Sequence, residues 1–164
     1  MPNSLLERRR IEAQFAKAIF GVLVEETGRE RAVEILSKAV IRLAIESGTA
    51  FADQTRQRQD KDTAGEPADL LAYSEVLSVW LEDGALTIDL KTQESGRLEF
   101  DVTRCRYAEM YRELGMADLG RVLSCNRDGV FCTGFNPDIQ LTRTQTIMDG
   151  AACCDFRYTL TKHG

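Results

Sequence analysis

"LTIDLKTQESGRLEFDVT", residues 86–103, is where the chain changes period. Leu86, Ile88 and Leu90 alternate with Thr87, Asp89 and Lys91. Beyond Ser95-Gly96, Leu98, Phe100 and Val102 alternate with Glu99, Asp101 and Thr103. Successive side chains of a strand point to opposite faces, so this pattern predicts a β-hairpin with one dry and one wet face.

Everything upstream of the hairpin repeats at helical spacing instead. Ser4-Leu5-Leu6-Glu7 matches the reciprocal cap of a hydroxyl and a carboxylate at a helix start. Ile11, Phe15, Ile19 and Val22 then recur on one face, and Gly28 is placed to end the helix. Thr27-Gly28-Arg29-Glu30 repeats the capping pattern. A second helix carries Val33, Leu36, Val40 and Leu43 and runs to about residue 57, so the two should form an antiparallel pair. "QTRQRQDKDTAGEP", residues 54–67, is polar and aperiodic and reads as a loop or frayed helix end. A short third helix over about 68–82 carries Leu70, Leu71, Val76, Leu77 and Trp80.

Downstream, a helix from Arg106 to Leu114 is stopped by Gly115, and a helical turn follows from Ala117 to about Leu123. Two further strands are expected. In residues 139–147, "IQLTRTQTI", Ile139, Leu141, Arg143, Gln145 and Ile147 share a face. In the last strand Cys154, Phe156, Tyr158 and Leu160 face inward, while Cys153, Asp155 and Arg157 face out. Helices grouped first and strands later give an α+β domain, an antiparallel sheet of four or more strands covered by helices. The expectation is one domain over 1–164, helical over 4–82 and sheet-rich over 85–162.

The net charge of −5 and a pI near 5.0 argue against a nucleic-acid partner, because the arginines are interleaved with acids. The run Arg8-Arg9-Arg10 reads as a solvated helix face. No apolar run has the length of a membrane span, and none follows the first residues as a signal peptide would. Five cysteines without scaffold spacing suggest free thiols in a reducing, cytoplasmic setting. No cofactor fingerprint is present. The apolar faces of the first two helices permit a homodimer.

Chemistry concentrates in the second half. Adjacent Cys153 and Cys154 cannot both face the interior. Cys154 follows the apolar face, either as a small hydrophobe or as a buried nucleophile. Arg143 shares a face with Ile139 and Leu141, where an unpaired guanidinium would be costly. Its partner is then a protein carboxylate or a ligand carboxylate held by parallel hydrogen bonds. Cys105 opens a helix whose dipole would lower its pKa, with Arg104 beside it and Glu109 one turn on. Cys125 and Cys132 lack the spacing of a zinc site, and His163, the one histidine, sits in the tail. Asn136 in "GFNPD" reads as turn chemistry with an amide to spare for a ligand.

Three ordered blocks, "RCRYAEMYRELGMADLGRVLSCNRD", "GFNPDIQLTRTQTIMDGA" and "CDFRY", together resemble the L-2-amino-thiazoline-4-carboxylic acid hydrolase family. The resemblance implies a small carboxylate substrate whose five-membered ring is opened to an N-carbamoyl amino acid. It maps the motif cysteines onto Cys105, Cys125 and Cys154, the aspartate onto Asp155, and the arginines onto Arg104, Arg143 and Arg157. The chemistry needs a nucleophile, a proton source and a carboxylate clamp. Cys154 is then expected as nucleophile with Cys105 as its partner or substitute, and Asp155 or Glu109 as the acid–base group. Arg104, Arg143, Arg157, Cys125, Tyr107 and Asn136 would contact substrate. A binding or redox-sensing domain is the competing reading, as is a hydrolase of a related cyclic amidine or hydantoin-like acid.

Overall fold

A computed structural model describes residues 3–58 and 68–161. Most of the polar stretch 54–67 and His163 lie outside the described residues. The hairpin forms, but register shifts after Thr87 and Leu90 break the alternation of its first strand and leave Leu90 46% exposed. Strands β1 (Leu86–Glu94) and β2 (Arg97–Cys105) pair antiparallel across Ser95-Gly96. β4 (Cys154–Leu160) pairs with β2, and β3 (Ile139–Thr142) with β4, giving a four-stranded antiparallel sheet in the order β1-β2-β4-β3. Leu98, Phe100, Val102, Cys154, Phe156 and Tyr158 all point to the buried face. Register sets Phe100 opposite Phe156, with ring centroids 4.8 Å apart.

α1 (Leu5–Thr27) starts at the expected cap, where the Glu7 amide donates to Ser4 Oγ and the Ser4 amide to the Glu7 carboxylate. Gly28, at φ +82°, turns the chain into α2 (Arg29–Arg58), and the two helices pack together. The Thr27 hydroxyl donates back to the Leu23 carbonyl at 2.7 Å and belongs to α1, so it does not repeat the capping pattern. The third helix is broken at Glu75 into α3 (Leu70–Ser74) and α4 (Val76–Trp80). α5 (Arg106–Glu113) ends before Gly115, which takes φ +67°. The fold is thus α+β: a helix pair and further helices packed on a four-stranded antiparallel sheet.

Three expectations need correction. The helical turn from Ala117 does not end at Leu123. α6 (Ala117–Gly120) runs through a wide π turn, Arg121–Cys125, into a ten-residue helix α7 (Asn126–Phe135). The strand from Ile139 does not reach Ile147. The amides of Thr144 and Gln145 donate to the Asp155 carboxylate at 3.0 and 2.9 Å, so the backbone leaves the ladder after Thr142. Finally, α1 buries Ala13 and Phe20, and the face of Ile11, Phe15, Ile19 and Val22 is exposed. On α2, Leu36 and Val40 are buried as expected, but Leu43 is not.

Candidate active site

The interior face of β2 and β4 does not seal against the helices. A cavity of about 110 Å³ remains between the sheet, the N-terminus of α1, the middle of α2 and the π turn entering α7. Cys154 enters it from β4, Cys105 from the end of β2, and Cys125 from the π turn. π turns add a residue per turn and are frequent at functional sites. This one directs Cys125 inward and places Asp128 in the cavity wall one turn later.

Arg143, one residue past β3, also reaches the cavity. Its Nη1 donates to Asp128 Oδ2 at 2.5 Å and its Nη2 to the Cys125 carbonyl at 3.0 Å, while its guanidinium lies 5.0 Å above the centre of the Phe156 ring. Of the two alternatives expected for Arg143, the one present is the protein carboxylate, Asp128. Arg9 and Arg127 complete a cationic wall. Glu12, behind them, accepts from Arg9 at 2.6 Å and from Arg127 at 3.2 Å. Arg9 and Arg127 thus share Glu12, and Arg143 takes Asp128. The opposite wall is aromatic and apolar, with Trp80, Phe131 and Phe100.

Enclosure dominates the ionisation of these groups. Burial pushes the Cys105 thiol up to about 11, against the amides of Ala108 and Tyr107, which favour the thiolate. The helix-start thiol is therefore not acidified, contrary to the dipole argument. Burial takes Cys125 to about 12, opposed by Arg143. Cys154 is raised too, again by burial, but Sγ accepts from the Ile147 amide at 3.1 Å and Arg143 pulls it down. Burial also raises the Asp128 carboxyl, with Arg143 working against it. Tyr107 is buried in the wall with its phenol pushed to about 12 by that burial, and its hydroxyl has no hydrogen-bond partner among the described residues. A buried donor without a partner is costly, and a ligand that accepts from it removes that cost.

The structure thus brings Cys154, Cys105, Cys125, Arg143 and Tyr107 to one cavity. The other sequence candidates lie elsewhere. Asp155 is on the outer sheet face, accepting from Thr144 and Gln145, which hold its carboxyl below the usual range despite some burial. Glu109 and Arg104 form a two-bond ion pair at 2.8 and 3.2 Å outside the cavity. Arg157 reaches Asp101 at 2.7 Å across the outer face. Asn136 is buried and structural, donating to the Ala68 carbonyl and accepting from the Asp138 amide. Among the described residues, no three His, Cys, Asp or Glu side chains are arranged to hold a metal ion.

Sequence reasoning missed Asp128, Arg127, Arg9, Trp80 and Phe131 as wall residues. Asp128 and Arg127 stand inside the quoted block "SCNRD", but no helix was read there. Arg9 was taken with its neighbours as a solvated run, whereas its side chain is four-fifths buried.

A model of the L-2-amino-thiazoline-4-carboxylic acid hydrolase family matches residues 8–158. The chain belongs to this family. The match takes in α1, which the three motif blocks do not cover, and with it Arg9. No curated protein matches this thiazoline hydrolase family member. Among solved structures, it is similar to the phenol-responsive sensory domain of the transcription activator PoxR with phenol. The TM-score is 0.53 and the identity 14%, over 87% of this chain and 71% of that one. At that identity the likeness concerns the fold. No helix among the family member's described residues is long and apolar enough to cross a membrane.

Proposed function

We propose that this chain hydrolyses a five-membered cyclic amidine acid of the 2-amino-thiazoline-4-carboxylate type to an N-carbamoyl amino acid. One observation carries the reading: Cys154 and Arg143 share one cavity with two further guanidinium groups, Arg9 and Arg127. A substrate carboxylate is held against Arg143 and Arg9. The ring carbon between sulfur and the two nitrogens then faces the sheet, where Cys154 is the thiol that Arg143 and a backbone amide favour as thiolate.

The reaction balances as follows. Cys154 sulfur bonds to the ring carbon, and its proton passes to the amidine nitrogen. The bond from that carbon to the ring sulfur breaks, and the sulfur leaves as a thiol. Water adds to the resulting isothiourea, returns a proton to Cys154 and leaves the ureido product. Asp128, raised by burial, is the cavity's acid–base group for these transfers. It takes the part that Asp155 and Glu109 held in the sequence reading. Cys105 and Cys125 keep the cavity dry and polarisable.

Mass spectrometry of product tests this, since ring opening adds one water to the substrate. Cys154→Ala is expected to lower kcat by about a thousandfold or more, as loss of a covalent nucleophile does. Near-normal turnover would refute the nucleophile. A second reading, a small-molecule sensor, is favoured by the neutral thiols and by the fold shared with a phenol-responsive domain. A sensor would bind a thiazoline acid and return it unchanged.

A further inference from the structure

The face of α1 turned to solvent is more apolar than a monomer's surface requires. Ile11, Phe15, Ile19 and Val22 are 57%, 70%, 42% and 58% exposed. With Arg8 at one end and Glu26 at the other, they fall within an arc of roughly 80° at the α-helical 100° per residue. Arg8 and Glu26 are exposed, and neither has an ion pair among the described residues. Their neighbours Arg9 and Arg10 are, by contrast, paired to Glu12 and Glu113.

The stripe is complementary to itself in one direction only. Turned end for end about its middle, it sets Phe15 against Ile19, Ile11 against Val22, and Arg8 against Glu26, each twice. A parallel arrangement would set Arg8 against Arg8 and Glu26 against Glu26. We propose that this face is the contact of a two-fold homodimer in which α1 packs antiparallel on α1 of a second copy. Closed two-fold contacts use one patch on both subunits, and a polar inversion along a single helix is what such a patch requires. A helix of 23 residues presents a strip of roughly 340 Å², so α1 alone supplies somewhat less than half of the ~800 Å² per partner of a standard interface. The dimer does not depend on the catalytic reading.

Sedimentation velocity on the full chain tests it. The wild type is expected at twice the 18.4 kDa chain mass at micromolar concentration. Phe15→Glu, a change at an exposed position, should give a folded monomer with unchanged circular dichroism. Arg8→Glu turns two rim pairs into like-charge pairs and should weaken the dimer by about tenfold. Adding Glu26→Arg should restore it. A monomeric wild type, a dimer indifferent to Phe15→Glu, or a double charge swap no tighter than Arg8→Glu alone would each overturn the proposal.

Discussion

At Cys105 two influences compete. The first amides of α5 favour a thiolate, an effect worth about 0.3–1 kcal/mol at a helix end. Enclosure favours the thiol, and the net rise from 9.0 to about 11 corresponds to roughly 3 kcal/mol. Burial wins because a thiolate taken out of water loses more solvation than the helix dipole restores. An ionisation raised by two units leaves about a hundredfold less thiolate at pH 8, and alkylation follows the thiolate. Cys105 is therefore expected to react with iodoacetamide about a hundredfold more slowly than an ordinary thiol at pH 8. Its rate should still climb about tenfold per pH unit up to pH 10. Peptide-resolved mass spectrometry of the native protein measures this directly; rapid modification of Cys105 at pH 8 would contradict it.

Elements place these residues, and the tightest placement is where α2 crosses α7. A Cβ on Gly48 would lie 2.1 Å from the Phe131 carbonyl oxygen, and one on Gly134 would lie 2.2 Å from that of Ile45. Both obstacles are backbone, so neither can rotate aside. Gly48→Ala is expected to push α7 off α2 at a cost of about 2–3 kcal/mol. For a domain of this size that lowers Tm by roughly 5–10 °C. Asp128 and Phe131 ride on α7, so turnover should fall with it; an unchanged Tm would show the crossing to be looser. The same helix marks where sequence reading stopped. "NRDGVFCTGF" carries two glycines and opens on turn-forming residues, so propensity argued against a helix that tertiary packing imposes. The hairpin, β4 and the Ser4 cap were legible because one local rule governs each. β3 was read too long because alternation continues through Gln145, while the ladder ends when the Asp155 carboxylate captures two amides. α1 was read inside out because it is apolar on two faces, and periodicity cannot say which one a fold will cover. The cavity's charged wall stayed hidden for a related reason: Arg9 and Asp128 come to one cavity only after the 118 residues between them have folded.

Across the whole molecule, protonated groups that folding encloses make stability depend on alkaline pH. Cys105 and Cys132 rise to about 11, and Cys125, Tyr107 and Tyr111 to about 12, each because burial disfavours the anion. The unfolded chain ionises the same thiols near 9.0 and the phenols near 10.0. The sign follows from which state holds the proton longer. The folded state does, so its advantage is complete below pH 9 and is lost progressively as pH rises toward 12. Urea midpoints, taken with reductant at one fixed protein concentration, should hold steady between pH 7 and 8.5 and then fall steeply through pH 9–11. A second cause acts in the same direction, since a chain already at −5 repels itself more as it gains negative charge. Salt separates the two. At 0.5 M ionic strength the surface repulsion is screened within a few ångströms, whereas enclosed thiols and phenols are not. The fall should therefore persist in high salt and should become shallower in Cys105→Ala/Cys125→Ala, which removes two of the groups. A midpoint that stays flat to pH 11, or one that salt restores, would mean the cavity is wetter than its walls imply.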